Sequence, residues 1–267
     1  MRFFAGNEIN PLNFKQKATM LKKERQAHIL HQVNLHNRVL SADLCNSMNV
    51  SEDTIRRDLA ELSEQGQIIK VHGGALSNSF STSLQPTNVY SQDNKKTIAK
   101  KAVALIRDGM FVLTTGGTTI IEMARMLPHD LKATFVTGSL PAAMEYIQHP
   151  TIEVIFIGDK ISRNSRITVG GEAISRIRSI KADLCFLGIN AIDTVHGVTD
   201  NDWDVVQVKK AMIESSETVV AMTISEKINT VQKITVCDVT KIHVLLTELE
   251  ADDELMYPYK EKGIQLL

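Results

Sequence analysis

Cysteine, proline and tryptophan are scarce, with three, six and one in 267 residues. Cys45, Cys185 and Cys237 lie far apart with no Cys-x-x-Cys spacing, which argues against a disulfide framework or zinc finger and predicts buried, reduced thiols. Six prolines and 14 glycines are too few for a disordered or collagen-like chain, and 43% hydrophobic residues suffice for packed cores. No apolar run approaches the roughly 18 residues of a membrane span. The opening Met1–Glu8 turns polar too early for a signal peptide. A cytoplasmic protein without a membrane partner is therefore expected. His196 lies near Asp193 and Asp200 with no third ligand at metal spacing, so neither a metal nor a cofactor is expected. Neither sign of charge dominates: 30 basic and 31 acidic side chains leave −1, and the sum names no partner. The length suggests about two domains.

The charge is distributed unevenly. Residues 15–75 carry nine basic and seven acidic side chains, with four histidines (His28, His31, His36, His72). Leu76 to Ser91 reads LSNSFSTSLQPTNVYS, an uncharged linker composition interrupted by Pro86. The division expected is an N-terminal extension (1–21), a first domain (22–75), a linker (76–91) and a second domain (92–267).

In the first domain, Ile29, Leu30 and Val33 recur at helical spacing over Lys22 to Val33, and His36-Asn37-Arg38 breaks the pattern. Ser41 is placed to cap a second helix over Ala42 to Met48. Ser51 is placed to cap a third over Glu52 to Gln65, which ends at Gly66. Gln67 to His72 is strand-like and closes on Gly73-Gly74. Three short helices and a strand pair predict a winged helix-turn-helix. On the third helix Ile55, Leu59 and Leu62 share the inner side, so Asp53, Thr54, Arg56 and Arg57 project outward near its start. A recognition helix has this layout, because its early residues reach base edges in the major groove. Arginine can offer two donors to guanine. Arg56 and Arg57 pairing with Asp53 or Glu61 on a solvated face is the plain alternative.

The run Val50-Ser51-Glu52-Asp53-Thr54-Ile55-Arg56-Arg57-Asp58-Leu59, followed by Gln67 through Ala75, resembles the DNA-binding domain of the DeoR family of bacterial transcriptional regulators. The resemblance implies a helix-turn-helix over Val39 to Asp58. Its implied DNA contacts are Ser41, Ser51, Asp53, Thr54, Arg56, Arg57, Lys70 and His72. Lys70 stands where the family usually has Arg, which keeps the charge and loses the fork.

From Lys95 strands alternate with helices, which predicts an α/β domain with a largely parallel sheet. Expected strands are 111–114, 134–137, 153–157, 184–187, 218–222 and 243–247; expected helices are 96–106, 119–126, 140–147 and 205–215. Thr114-Thr115-Gly116-Gly117-Thr118-Thr119 links a strand to a helix, where glycines permit close backbone approach and a helix N-terminus favours an anion. Val136-Thr137-Gly138-Ser139 has the same character. Arg163 and Arg166 belong to a polar loop that could cover a pocket, and Phe80 and Trp203 read as core.

This half resembles the DeoR effector-binding domain, with the fold of ribose-5-phosphate isomerase and related sugar-phosphate enzymes. The resemblance implies a phosphorylated-sugar effector held by Thr115, Gly116, Gly117, Thr118, Thr119, Gly138, Ser139, Lys209 and Lys227. The chain departs from the family at four positions: Thr114 and Ile224 replace an Asp, Gly138 an Asn, and Asp159 the second of two glycines.

Three functions follow. The first is a repressor of sugar-metabolism genes that binds double-stranded operator DNA as a homodimer or homotetramer and answers to a sugar phosphate. The second is a sugar-phosphate isomerase-like enzyme with an appended helical domain, which the lack of acidic groups at Thr114 and Ile224 disfavours, so no catalytic residue is assigned. The third is a constitutive DNA-binding protein with a decayed pocket, which a closed apolar pocket would favour.

Overall fold

The computed structural model describes residues 20–78 and 89–267. The N-terminal extension up to residue 19, Phe80 and the middle of the expected linker lie outside the described residues.

The first domain comprises α1 (Lys22–His36), β1 (Arg38–Leu40), α2 (Ser41–Met48), α3 (Glu52–Glu64), β2 (Ile68–Val71) and β3 (Gly74–Ser77). The helices close on Ile29, Val33, Leu44, Ile55, Leu59 and Leu62, and the strands form an antiparallel sheet in the order β1-β3-β2. A polar seam fixes α3 to α1. Arg25 donates from Nε and a terminal nitrogen to the buried Asp58 carboxylate, at 2.5 and 3.2 Å. Lys22 and Gln26 both hold Glu61. Two glycines close the wing. Gly73 has φ +74°, and a Cβ on Gly74 would come within 2.0 Å of the Val39 carbonyl oxygen. Strand β3 carries the wing on to Ser77, past the expected boundary at 75.

Ser51 caps α3 as expected, its Oγ accepting from the Thr54 N–H at 3.3 Å. Ser41 does not cap α2. It is already the first helical residue, preceded by Leu40, and its own N–H donates to the Gly73 carbonyl. Val39-Leu40 proves to be strand β1, whose pairing with β3 fixes the chain before α2 begins.

The second domain runs α4 (Gln92–Val103), β4 (Phe111–Thr114), α5 (Thr118–Arg125), β5 (Thr134–Thr137), α6 (Leu140–Tyr146), β6 (Glu153–Phe156), β7 (Lys160–Ile161), β8 (Thr168–Val169), α7 (Gly171–Arg178), β9 (Ala182–Gly188), β10 (Ala191–Asp193), β11 (Gly197–Asp200), α8 (Trp203–Glu214), β12 (Ser216–Met222), β13 (Ile234–Cys237), β14 (Val244–Leu246), α9 (Tyr257–Glu261) and β15 (Gln265–Leu266). Seven strands form a parallel sheet in the order β15-β14-β12-β9-β4-β5-β6. One apolar layer packs α4, α5 and α6 on one face, and another packs α7 and α8 on the other. A small antiparallel sheet, β10-β11-β13, stands beside the second layer.

After β4 the chain builds outward to β5 and β6, then returns to the other side of β4 for β9, β12 and β14. The order therefore reverses at β4, and such a switch point opens a crevice at the strands' carboxyl ends. Trp203, expected in the core, is 65% exposed, because it opens α8 before that helix meets the sheet. Cys185 is buried, while Cys45 and Cys237 are only partly so, and all three are free thiols.

Candidate functional site

The exposed end of α3 is the first candidate. Ile55, Leu59 and Leu62 are fully buried, which fixes the helix's rotation and turns Arg56 and Arg57 to solvent. Each arginine lies 2.5 Å from a different oxygen of Asp53. The Arg56 hydrogen bond and the charge of Arg57 hold the Asp53 carboxyl below its ordinary range. Both arginines thus rest on one carboxylate, and a phosphate or a guanine edge would have to displace it. Thr54 shares its hydroxyl with Ser51 at 2.8 Å, so these two residues serve the cap and are less free for DNA than the arginines. Lys70 and His72 are exposed on the wing, and Ser41 is half-buried between them and the helices.

The second candidate is a cleft of about 130 Å³ at the switch point. One wall is the loop from Thr115 to Thr119, and the facing wall is Gly188, Ile189 and Asn190 after β9. Gly117 precedes α5 with φ +118°, a conformation that L side chains rarely adopt. It leaves the first N–H groups of α5 without intrahelical partners at the cleft, where the helix dipole is positive. Gly116 is equally constrained, since a Cβ there would sit 2.8 Å from Ser139 Oγ. Asn164, Ser165 and Ile167 close one side; Arg163 of the same loop is exposed and takes no part in the lining.

The cations of the cleft differ in kind. Lys209 is buried, donating to Asp200 Oδ2 at 2.7 Å and to the Gly188 carbonyl at 2.9 Å. Asp200 also accepts from the Asn190 amide and the Asn201 N–H. Burial pushes Asp200 up, and Lys209 with these donors more than offsets it, leaving the carboxyl below its usual range. Lys209 is therefore already neutralised. Among the described residues Lys227 bonds only to the Ile189 carbonyl, at 3.4 Å. Burial, then the charges of Lys95 and Lys209, bring its pKa down to about 7. Lys95 donates to the Tyr90 carbonyl, and burial lowers it to about 8 although Glu122 and Glu226 pull the other way. Two desolvated ammonium groups without a bonded carboxylate make the cleft a place for an anion.

The expected effector residues do not all meet here. Thr115 through Thr119, Lys209 and Lys227 line the cleft, whereas Gly138 and Ser139 line a smaller cavity beneath it. The Thr115 hydroxyl is spent on the Gly188 N–H, and Ser139 accepts from Ala142 at the start of α6. Sequence reasoning missed Lys95, Asn190 and Asp200 as members of the site. Only the nine-residue step from Asp200 to Lys209, across the strand-to-helix turn, hinted at a pair.

The departures from the family pattern have local causes. A Cβ on Gly138 would meet Thr168 Oγ1 at 2.3 Å, so Thr168 fills the space of a larger side chain. Asp159 accepts from the Ala173 and Lys160 N–H groups, anchoring the start of α7. Ile224 and Thr114 are buried, Ile224 in the core layer around α4 and α5. Among the described residues, no cluster of His, Cys, Asp or Glu could hold a metal ion, and no helix is long and apolar enough to cross a membrane.

Comparison with known proteins agrees with this architecture. The family model for the DeoR-like helix-turn-helix domain matches residues 25–80, and that for the DeoR C-terminal sensor domain matches residues 90–249. The chain is 27% identical to the HTH-type transcriptional regulator GolR of Listeria innocua, over 92% of this chain and 98% of that protein. It is 28% identical to the HTH-type transcriptional repressor GlcR of Bacillus subtilis, over 93% and 96%. It is 32% identical to the HTH-type transcriptional regulator GlpR of Haloferax volcanii, over 93% and 98%. Among solved structures, ribose 5-phosphate isomerase A of Methanocaldococcus jannaschii aligns over 52% of this chain and 55% of that one, at 19% identity and a TM-score of 0.39. With a winged helix-turn-helix joined to a parallel α/β sensor domain, the chain belongs to the DeoR family of DNA-binding transcriptional regulators.

Proposed function

We propose that the protein is a repressor of sugar-metabolism genes whose operator binding is controlled by a phosphorylated sugar in the cleft at the switch point. The observation that carries this reading is the pairing of a backbone nest at Gly116–Thr119 with Lys95 and Lys227, two cations without a bonded carboxylate. A phosphate satisfies both, because it offers several acceptors and up to two negative charges. Beside its apolar residues the cleft carries Lys95, Lys227, Asn190 and the Thr115–Thr119 loop, which speaks against the decayed-pocket alternative.

The enzyme alternative lacks a free base. Of the lining residues Asp200 is committed to Lys209, and Asp202 accepts from the Val205 N–H at the start of α8. A proton transfer between adjacent carbons needs a carboxylate that is not so engaged.

The operator is double-stranded DNA read by Arg56 and Arg57 in the major groove, with Lys70 and His72 of the wing on phosphates, and the protein acts in the cytoplasm where that DNA lies. One recognition helix spans too few base pairs to single out a site, so two are needed. A homodimer or homotetramer through the sensor domain supplies them. Its support is β6, the edge of the large sheet, where Ile155 and Phe156 are exposed, as are Ile147 after α6 and Ile161 of β7. The test is operator affinity with and without a panel of aldose and ketose phosphates, with light scattering for the oligomer. Operator release by one phosphosugar, and not by its unphosphorylated parent, is the expected result; indifference to the whole panel would sink the effector reading, and a monomer with and without DNA would sink the oligomer.

A further inference from the structure

We propose that the effector site is shared between the two domains, the DNA-binding domain supplying His36 and Arg38 as the roof over an anion whose floor is the nest and Lys227. This rests on the reading of the cleft as a phosphosugar site. It adds that the anion touches both domains at once.

The last turn of α1 and the start of β1 belong to the lining of the cleft, together with Leu76 of the wing. They are seated firmly. Leu35 is 5% exposed and is part of the apolar layer that contains Ile120, Phe186 and Ile224 of the sensor domain. His36 Nδ1 lies 3.2 Å from the Gln232 side-chain amide, and the ring also meets the Asn190 backbone at the cleft wall. Tyr90 donates its hydroxyl to Glu226 and faces His31 at 3.2 Å, and Lys233 reaches Asp43 of α2 at 2.7 Å.

Charge gives this seam its meaning. Arg38 and Lys227 line the same cleft, and neither makes an ion pair with a described residue. Two nearby carboxylates are engaged elsewhere, Asp200 by Lys209 and Glu226 by Tyr90 and His31. Burial, and after it the Lys227 charge, depress the His36 pKa to about 4, so its imidazole is neutral at pH 7. Arg38 on one side and Lys227 on the other are both basic, and the one lining carboxylate without an ion pair among the described residues, Asp202, caps α8 through the Val205 N–H. A phosphate there removes the repulsion between them and gains donors from each side. Occupancy and domain docking are then linked equilibria, and operator affinity changes by however much DNA discriminates the docked arrangement.

The test titrates the full-length protein with inorganic phosphate and the same sugar-phosphate panel, in calorimetry and thermal shift without DNA. Wild type is compared with Lys227→Met, Arg38→Gln, Arg38→Lys and His36→Gln. The expected result is at least a tenfold loss of affinity in Arg38→Gln, partial recovery in Arg38→Lys, and a smaller loss in His36→Gln. Hydrogen exchange on wild type gives a readout that does not depend on the variants folding, with amides of residues 34–38 becoming more protected on ligand addition. If Lys227→Met abolishes binding while the Arg38 and His36 variants bind as wild type, the site belongs to the sensor domain alone and the shared roof is wrong. Unchanged protection at 34–38 with ligand bound overturns it as well. If wild type binds nothing in the panel, the effector reading itself falls, and the shared site with it.

Discussion

On α3, Arg56 and Arg57 stand in solvent and lean on one exposed carboxylate. In the cleft, Lys95 and Lys227 are drawn out of solvent and lean on backbone carbonyls. The exposed pair carries little desolvation cost and loses little when the Asp53 contact opens, which suits a long polyanion met through solvent. The buried pair is held in an unfavourable state that a small anion relieves, which suits a ligand detected by a shift in equilibrium. On the proposed reading the same residue chemistry serves a surface in one domain and a sensor in the other, and burial makes the difference.

The sharpest way to break this comparison is to remove a carboxylate from each region. Asp200→Asn strands Lys209 in the interior without its counter-charge, and a cost of about 3–5 kcal/mol is expected in denaturant unfolding. Asp53→Asn should leave the unfolding midpoint unchanged, because its partners return to water. Equal effects would mean that the cleft is as solvated as the helix face.

Arg57→Ala should cost about 1–3 kcal/mol at the cognate operator and relax one base position, without changing stability. Lys70→Ala on the wing should weaken all sequences alike and lower the salt slope by about one unit. Competition titrations of cognate against random DNA over a salt series separate the two, and indistinguishable profiles would remove the claim of base readout.

A smaller effect sharpens the other side. Lys227 has its folded pKa lowered from about 10.5 to about 7, so between those values the unfolded chain binds more protons. The penalty of the buried charge is therefore full below pH 7 and fades as pH rises toward 10.5. A bound phosphate favours the charged lysine, so binding near pH 7–8 should take up protons and weaken as pH rises. Calorimetry in buffers of different ionisation enthalpy measures that uptake, and none would mean that Lys227 does not meet the anion.

Much of the sheet was legible before any coordinates. β4 and β5 have the expected bounds, and β6, β9, β12 and β14 lie within three residues of theirs, because buried parallel strands are short apolar runs between turn residues. The second-domain elements that escaped were α7, α9, β7, β8, β10, β11, β13 and the edge strand β15. For β13 the reason is distance, since its partner β11 lies far back along the chain, Val198 opposite Cys237, and no local pattern announces the pair. The same holds for the site. Gly116-Gly117 declares itself through its backbone requirement, whereas Asn190 and Asp200 are ordinary polar residues until β9 and β11 end side by side.

The sequence by itself determined that the first domain binds DNA, since the Ser51 cap, the apolar stripe on α3 and the exposed arginines all act within a few turns of one another. It also determined that a glycine-rich turn follows the first strand of a parallel sheet. Only the tertiary structure decided which lysine stays unpaired, that Gly138 and Ser139 lie below the cleft and not in it, and that α1 ends over its mouth. Those outcomes depend on which long-range neighbours share a dry space. Desolvation and Coulomb interaction act through that space and not along the chain.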